Sequence, residues 1–276
     1  MGNGCSSQRH RLQKQQLEAE FMKAVRNNDA PAIRSLAAAG VDVNALKLSQ
    51  GMLPLTFACF TKNGVNIFEM TEEEAKAAFS AAEKKAEEAG PEASRMYEID
   101  SHMFHMIQAL IEVGADINEY EPVDGDLEGG SGLSAVSEMC NVPTLKALLA
   151  AGMDVNRPAE IKHRSTALMI AAHVGGGGNK QDLKAFIDAL LEAGADVNIS
   201  TDVNITDGKQ CYALTAALEG LGGPTGENGP PDKRGQLEAI RLLLATGSVS
   251  KEHLSAAQDM AKQMGHQEAI ELLTNS

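Results

Sequence analysis

The sequence predicts an all-α solenoid in which pairs of short helices stack side by side. The string Gly-x-Asp-x-Asn occurs four times, and each copy follows a leucine-rich stretch with helical spacing. Glycine adopts the left-handed conformation that ends a helix, and Asp and Asn then hydrogen-bond to nearby backbone in a turn. Aromatic residues make up only 4% of the chain, which disfavours a core built on large rings. The structural anchors of the four copies are Gly40 and Asn44, Gly114 and Asn118, Gly152 and Asn156, and Gly194 and Asn198.

Helix starts precede these copies. Thr166 and Ser131 offer a hydroxyl N-cap, and Pro54 suits the first position of a helix. Pairs of small residues follow the starts, and they let two helices approach closely. These pairs are Ala58-Cys59, Ala171-Ala172 and Ala216-Ala217.

These residues resemble ankyrin repeats, in which a Thr-Pro-Leu-His helix start, an Ala-Ala pair, a Leu-Leu helix and a Gly-Ala-Asp-Val-Asn hairpin follow one another. About 21 residues separate the Thr and Gly positions of that pattern, and the interval from Ser131 to Gly152 is 21 residues. The resemblance extends over about six copies and places the repeat domain at residues 18–276. It implies an ankyrin-repeat solenoid that binds proteins through a long concave surface edged by hairpin tips.

Three repeats are longer than the pattern, by 40, 7 and 14 residues, and each excess falls between the two helices of a repeat. The two shorter insertions, residues 175–181 and 220–235, are rich in glycine, so we expect them to be mobile loops. All three are expected to project from the same edge of the solenoid.

The longest insertion, at about residues 62–101, has a helical pattern. Thr71 and Glu74 have the spacing of a capping box, and alanines then recur at helical spacing. We therefore expect an extra helix near residues 72–89.

The first six residues match the N-myristoylation pattern, in which an acyl chain is attached to the Gly2 amine after Met1 is removed. One myristoyl chain binds membranes with an association constant of only about 10⁴ M⁻¹, so stable anchoring needs a second signal. Cys5 is a candidate for that signal through thioester acylation. We expect residues 1–17 to form a basic, acylated and disordered tail.

The same tail carries the basic residues Arg9, Arg11 and Lys14, and each is worth at most about 1 kcal/mol near an anionic membrane surface. Two alternatives to dual acylation stay open. In one, Gly2 is modified and Cys5 is not; in the other, the tail is an ordinary unmodified one.

The rest of the chain is acidic. The whole protein has a net charge of −14, and residues 1–16 contain three bases and no acid, which leaves −17 on the remainder. This balance argues against binding to a phosphate backbone, so we expect a basic protein partner and no nucleic acid. The acids are densest at an expected hairpin tip in residues 119–130. They are Glu119, Glu121, Asp124, Asp126 and Glu128.

The cysteine distribution and the lengths of the apolar runs predict the compartment of the protein. Its four cysteines are spread over the whole length without a Cys-x-x-Cys pair, which indicates reduced thiols. No apolar run approaches the roughly 18 residues that span a bilayer. We expect the protein at the cytosolic face of a membrane, with the plasma membrane as one candidate, or else in the cytosol.

Patterns that suggest catalysis or metal binding are incomplete. Residues 175–180 resemble a phosphate loop but lack its Gly-Lys-Ser/Thr ending. His102 and His105 have i, i+3 spacing, but no further ligand completes a metal site. The run from Asp124 resembles half of a calcium loop, but Ala135 stands where a bidentate Glu is needed. We therefore expect no enzyme activity, no metal, no cofactor and no small-molecule substrate.

Two functional hypotheses follow from the residues and the resemblance. The leading one is a non-catalytic scaffold or adaptor that binds proteins and is tethered to a cytosolic membrane face by acylation. The alternative is a soluble regulatory or inhibitory subunit of a cytosolic enzyme complex.

Overall fold

A computed structural model of the chain describes residues 3–48, 52–59, 61–62, 65–66, 101–118, 131–159, 164–175, 180–200, 211–222 and 234–275. The chain divides into two compact units, Met1–Asp124 and Gly125–Ser276. Within the described residues both units consist mainly of short helices, so the predicted all-α class is confirmed.

The described part of the first unit contains two helix pairs. Its elements are α1 (Asn3–Arg26), α2 (Ala30–Ala38), a 3₁₀ turn (Val43–Ala45), α3 (Pro54–Cys59), strands β1 (Thr61–Lys62) and β2 (Val65–Asn66), and α4 (Ser101–Glu112). The two strands pair antiparallel, with Thr61 opposite Asn66. The first helices of the pairs, α1 and α3, pack against each other, and so do the second helices, α2 and α4. The pairs therefore stack in two layers.

The second unit repeats this arrangement four times in its described part. Its helices are α5 (Gly132–Glu138), α6 (Val142–Ala150), α7 (Ala167–Val174), α8 (Lys180–Glu192), α9 (Ala213–Leu221), α10 (Arg234–Ala245), α11 (Lys251–Met264) and α12 (Gln267–Thr274). Helices α5, α7, α9 and α11 pack in that order in one layer, and α6, α8, α10 and α12 pack in the same order in the other.

Two of the three predicted helix starts have the expected chemistry. The Thr166 hydroxyl accepts a hydrogen bond from the Met169 N–H at 3.3 Å, and Pro54 is the first residue of α3. The prediction for Ser131 is wrong, because its hydroxyl does not cap α5. It donates instead to the buried Ala159 carbonyl at 2.6 Å, and the same carbonyl also accepts the Ser131 N–H at 3.0 Å.

The core lies between the two helical layers of each unit. The largest fully buried side chains include Phe21 and Phe57 in the first unit and Phe186 in the second. The three predicted pairs of small residues are buried as well, each at 3% exposure or less. Two helices approach closely at Gly220 in α9, where a Cβ atom would lie 2.0 Å from the His173 carbonyl oxygen of α7.

The expected disordered tail is helical in the structure. Helix α1 runs back to Asn3, so residues 3–17 continue the helix that enters the first repeat. No proline interrupts residues 3–26, and most of them are good helix formers such as Gln, Leu, Glu, Lys and Ala. Phe21, Ala24 and Val25 bury the other end of this helix in the core.

Several predicted features lie outside the described residues. They are the helix near 72–89, the acidic tip at 119–130, and the central parts of the two glycine-rich insertions, residues 176–179 and 223–233.

Replacing Gly220 by alanine tests the close approach of α9 to α7. The new Cβ would overlap the backbone of α7, which cannot move away as a flexible side chain would. We expect Gly220→Ala to lower the free energy of unfolding by about 3 kcal/mol in urea denaturation.

The matched control is Gly265→Ala, since Gly265 has φ +66° and nothing lies within 4 Å of its Cβ position. That substitution is expected to cost only the left-handed backbone conformation, about 1 kcal/mol. Equal losses for the two variants would contradict the close packing of α7 and α9.

Candidate functional site

The Gly-x-Asp-x-Asn strings form hairpin turns with one local geometry. The four glycines have φ between +88° and +100°, and nothing lies within 4 Å of their Cβ positions, so conformation and not space requires glycine there. In each turn the Asp carboxylate accepts the backbone N–H of the Asn two residues on, at 2.8–3.1 Å. The Asp side chain thereby fixes the shape of its own turn.

The Asn side chain joins one hairpin to the next. In the first unit, the Asn44 Nδ2 donates to the Gly114 carbonyl at 2.9 Å, and its Oδ1 accepts from the Asp116 N–H at 2.8 Å. In the second unit, Asn156 makes the same two bonds to Gly194 and Asp196, at 2.9 and 2.8 Å. We call these links between hairpins the asparagine ladder.

The last link of the ladder has a different receiver. Asn198 bonds the Ser248 carbonyl and the Ser250 N–H, both at 2.8 Å, although Gly-x-Asp-x-Asn is absent at that point of the chain. Gly247, with φ +63°, lies one residue before the receiving carbonyl. Ser250 then caps α11 by accepting the His253 N–H at 3.2 Å. The ladder therefore ends directly on the last helix pair.

In the hairpins the valine side chains are buried and the acidic side chains are exposed. Val43, Val155 and Val197 are buried, whereas Asp116, Asp154 and Asp196 are exposed. The apolar side chains hold the hairpin base against the helices, and the carboxylates face solvent. The hairpins of each unit therefore present negative charge on exposed residues.

Among the described residues, two ion pairs connect second helices of neighbouring repeats. Arg34 of α2 lies 2.7 Å from Glu112 of α4, and Arg241 of α10 lies 2.9 Å from Glu268 of α12. The hydrogen bond from Arg34 holds the pKa of Glu112 below its usual value. Each arginine stands six residues before the glycine that follows its helix, Gly40 or Gly247, so this spacing is the signal that could have predicted the pairs.

A stacked ring pair joins the first helices of the last two repeats. The rings of Tyr212, before α9, and His253, in α11, have centroids 3.6 Å apart and planes 26° apart. Burial lowers the pKa of His253 and raises that of Tyr212, so both rings stay neutral near pH 7.

Three of the cysteines are buried and take part in no disulfide: Cys59, Cys140 and Cys211. Burial raises the pKa of Cys59 to about 12, so its thiol is protonated and a poor nucleophile. Among the described residues no group of three or more His, Cys, Asp or Glu side chains is placed to hold a metal ion. No described helix is long and apolar enough to cross a membrane.

The other predicted site residues fall into two groups. Arg9, Arg11 and Lys14 lie exposed on α1, and His105 is exposed on α4. Position 5 lies within α1, but its side chain, Gly2 and the His102 side chain are outside the description. So are the five acids of the predicted tip, Glu119, Glu121, Asp124, Asp126 and Glu128.

Comparison with known proteins identifies the repeat. Residues 163–202, which include α7, α8 and the hairpin that follows them, match the ankyrin repeat family. The chain is also similar to the crystal structure of an ankyrin repeat domain from Acinetobacter baumannii AYE, with a TM-score of 0.55 and 19% sequence identity. That similarity covers 92% of this chain and 95% of the other, and it shows the fold alone. No curated protein matches the sequence of this chain.

Replacing Asn156 by alanine tests the ladder. The substitution removes two hydrogen bonds between hairpins, so we expect the free energy of unfolding to fall by about 2 kcal/mol. Hydrogen exchange should also accelerate at the Asp196 amide, which loses its acceptor.

The control is Asn275→Ala, since Asn275 is an exposed residue after the last helix and is expected to change stability by less than about 0.5 kcal/mol. Unchanged protection of the Asp196 amide in Asn156→Ala would contradict the ladder as the link between these hairpins.

Proposed function

We propose that this protein is a non-catalytic scaffold that binds other proteins and is held at the cytosolic face of a membrane by acylation of Gly2 and Cys5. Ankyrin repeats generally mediate protein–protein interaction, and the ankyrin fold is typically a non-catalytic interaction module. The match over residues 163–202 and the similarity of fold to an ankyrin repeat domain, which covers 92% of the chain, support the protein-binding part of this proposal.

The asparagine ladder is the observation that carries the binding function. Within each unit it fixes consecutive hairpins before any partner arrives, because Asn44 and Asn156 each bond both to a carbonyl and to an N–H of the following hairpin. A surface that is already ordered loses less conformational entropy on binding. The exposed hairpin residues are therefore suited to a specific partner rather than to the internal packing of the protein.

The charge of this surface selects the chemistry of the partner. Asp116, Asp154 and Asp196 are exposed in the hairpins, and residues 17–276 carry a net charge of −17. These negative charges repel acidic surfaces and steer basic surfaces toward the hairpins. We propose a partner with a basic surface, with the acids of residues 119–130 as part of its contact.

The N-terminus supports the tether. Gly2 is the acyl acceptor of the myristoylation pattern, and Cys5 offers the second acyl site that stable anchoring requires. Tethering raises the local concentration of the scaffold near membrane-bound partners without adding a contact.

Substituting Gly2 tests the tether. We expect the wild-type protein to sediment with cell membranes and Gly2→Ala to move to the soluble fraction, because the myristoylation pattern requires glycine at this position. Gly4→Ala is the matched control, since it changes a neighbouring glycine and leaves the acceptor in place. Intact mass should show about 210 Da added at Gly2 and lost in Gly2→Ala.

Soluble wild-type protein with an unmodified N-terminus would contradict the tether and favour the alternative function, a regulatory or inhibitory subunit of a soluble complex. Cys5→Ser is expected to give an intermediate result, since one myristoyl chain binds only marginally. The buried positions of Cys59, Cys140 and Cys211 make native thiol-exchange labelling selective for position 5.

Replacing three acids of the tip by serine tests the basic partner. We expect Asp124→Ser, Asp126→Ser and Glu128→Ser together to reduce partner capture about tenfold, with a weaker dependence on salt. The partner is first identified by cross-linking to the wild-type protein. The measurement is then the yield of that partner captured by each variant. The control replaces three exposed acids elsewhere, Glu192, Glu252 and Glu271. Equal yields from both triple variants would show that the tip is not the contact.

A further inference from the structure

The outer part of α1 extends beyond the packed body of the first unit. Residues 8–16 are all exposed, whereas Phe21, Ala24 and Val25 of the same helix are buried. Leu12 is 60% exposed, and it is the one large apolar side chain with such exposure among the described residues. We call residues 8–16 the free part of α1.

The free part of α1 has little to stabilise it in water. Lys14 lies 3.7 Å from Glu18, and Gln16 donates to Glu20 at 3.1 Å, and both contacts join residues one turn apart. Such contacts between side chains one turn apart stabilise a helix only weakly, and the segment otherwise relies on its continuity with the buried end of α1. A surface that covers one side of this segment would stabilise it.

The charges of this segment identify the covering surface as anionic. Residues 8–16 contain three bases and no acid. At 3.6 residues per turn, Arg9 lies about 60° from Leu12 on one side and Arg11 about 100° on the other. Lys14 lies about 160° away, where it pairs with Glu18. Leu12 is therefore flanked by two arginines.

The single leucine favours lipid over protein as the occupant. A protein groove that accepts a helix reads several apolar anchors at i, i+3 or i+4, and i+7. The free part of α1 offers Leu12 alone, and four of its other residues are glutamines. A lipid surface accepts one apolar side chain together with basic neighbours, since its headgroups are mobile and charged.

We propose that the free part of α1 lies flat on an anionic phospholipid surface, with Leu12 entering the headgroup region and Arg9 and Arg11 contacting phosphates on either side. This deepens the proposed tether and rests on it for the route to the membrane. Position 5 precedes Leu12 by seven residues, about two turns, so the two positions share one face of α1. An acyl chain on Cys5 and the Leu12 side chain would then anchor the same face.

Tryptophan fluorescence tests the orientation directly, because the natural chain contains no tryptophan. The full-length, unacylated Leu12→Trp variant should show emission at shorter wavelength with vesicles of phosphatidylcholine and phosphatidylserine, and no change with phosphatidylcholine alone. His10→Trp is the control, since position 10 lies about 160° around the helix from Leu12. Equal shifts at both positions, or none at Leu12→Trp, would overturn the proposal.

Vesicle partitioning tests the arginines. We expect Arg9→Gln with Arg11→Gln to lower the partition coefficient on anionic vesicles about 30-fold, at roughly fivefold per base. The control is Lys23→Gln with Lys146→Gln, which removes the same charge from exposed positions of the body and is expected to change binding less than about twofold. Equal losses for the two pairs would show that net charge alone acts, against a docked α1.

Two further outcomes separate this inference from the tether. In the first outcome, the unacylated chain binds vesicles while the wild-type protein is soluble in cells. This result would support the binding of α1 to lipid and contradict the acyl tether. Loss of partner capture in Arg9→Gln with Arg11→Gln, without vesicle binding, would place α1 on an acidic protein and overturn the lipid assignment.

Discussion

The bridge made by one asparagine side chain between consecutive hairpins is the interaction on which the stacking of repeats depends. A turn exposes backbone groups that its own residues cannot pair. Asn156 supplies both a donor and an acceptor, to Gly194 and Asp196, and so pairs one carbonyl and one N–H of the next hairpin. Those bonds set the spacing at which Val155 and Val197 become buried, and the buried valines in turn hold the helix pairs in register.

The local half of this design could be predicted from the sequence, and the non-local half could not. Gly194 indicates the end of α8 because only glycine adopts φ +89° without strain. The Asp two residues further on indicates the turn. The acceptor of the Asn156 side chain lies 38 residues away, so no local pattern contains it. Ser131 shows the same limit, since its hydroxyl serves the distant Ala159 carbonyl instead of its own helix.

The N-terminal segment shows a conflict between composition and propensity. Its charge and lack of apolar residues indicate disorder, because they leave little area to bury. Its residues nevertheless favour a helix, and the buried Phe21 and Val25 provide a nucleus from which the helix extends toward Asn3. Once the costly first turn is formed inside the core, each further turn needs only a favourable propensity, which glutamine, leucine and lysine supply.

The insertions show why the stacking of the hairpins depends on the ladder and not on the length of the connections between helices. Asn44 reaches a hairpin 70 residues further along the chain, and Asn156 reaches one 38 residues further, yet the bond lengths are the same, 2.9 and 2.8 Å. Closing a longer loop costs little, since its entropy grows only with the logarithm of its length. The connection between the two helices of a pair can therefore lengthen without disturbing the hairpins. An array built this way keeps its stacking constant while the inserted segments are free to differ in length and composition.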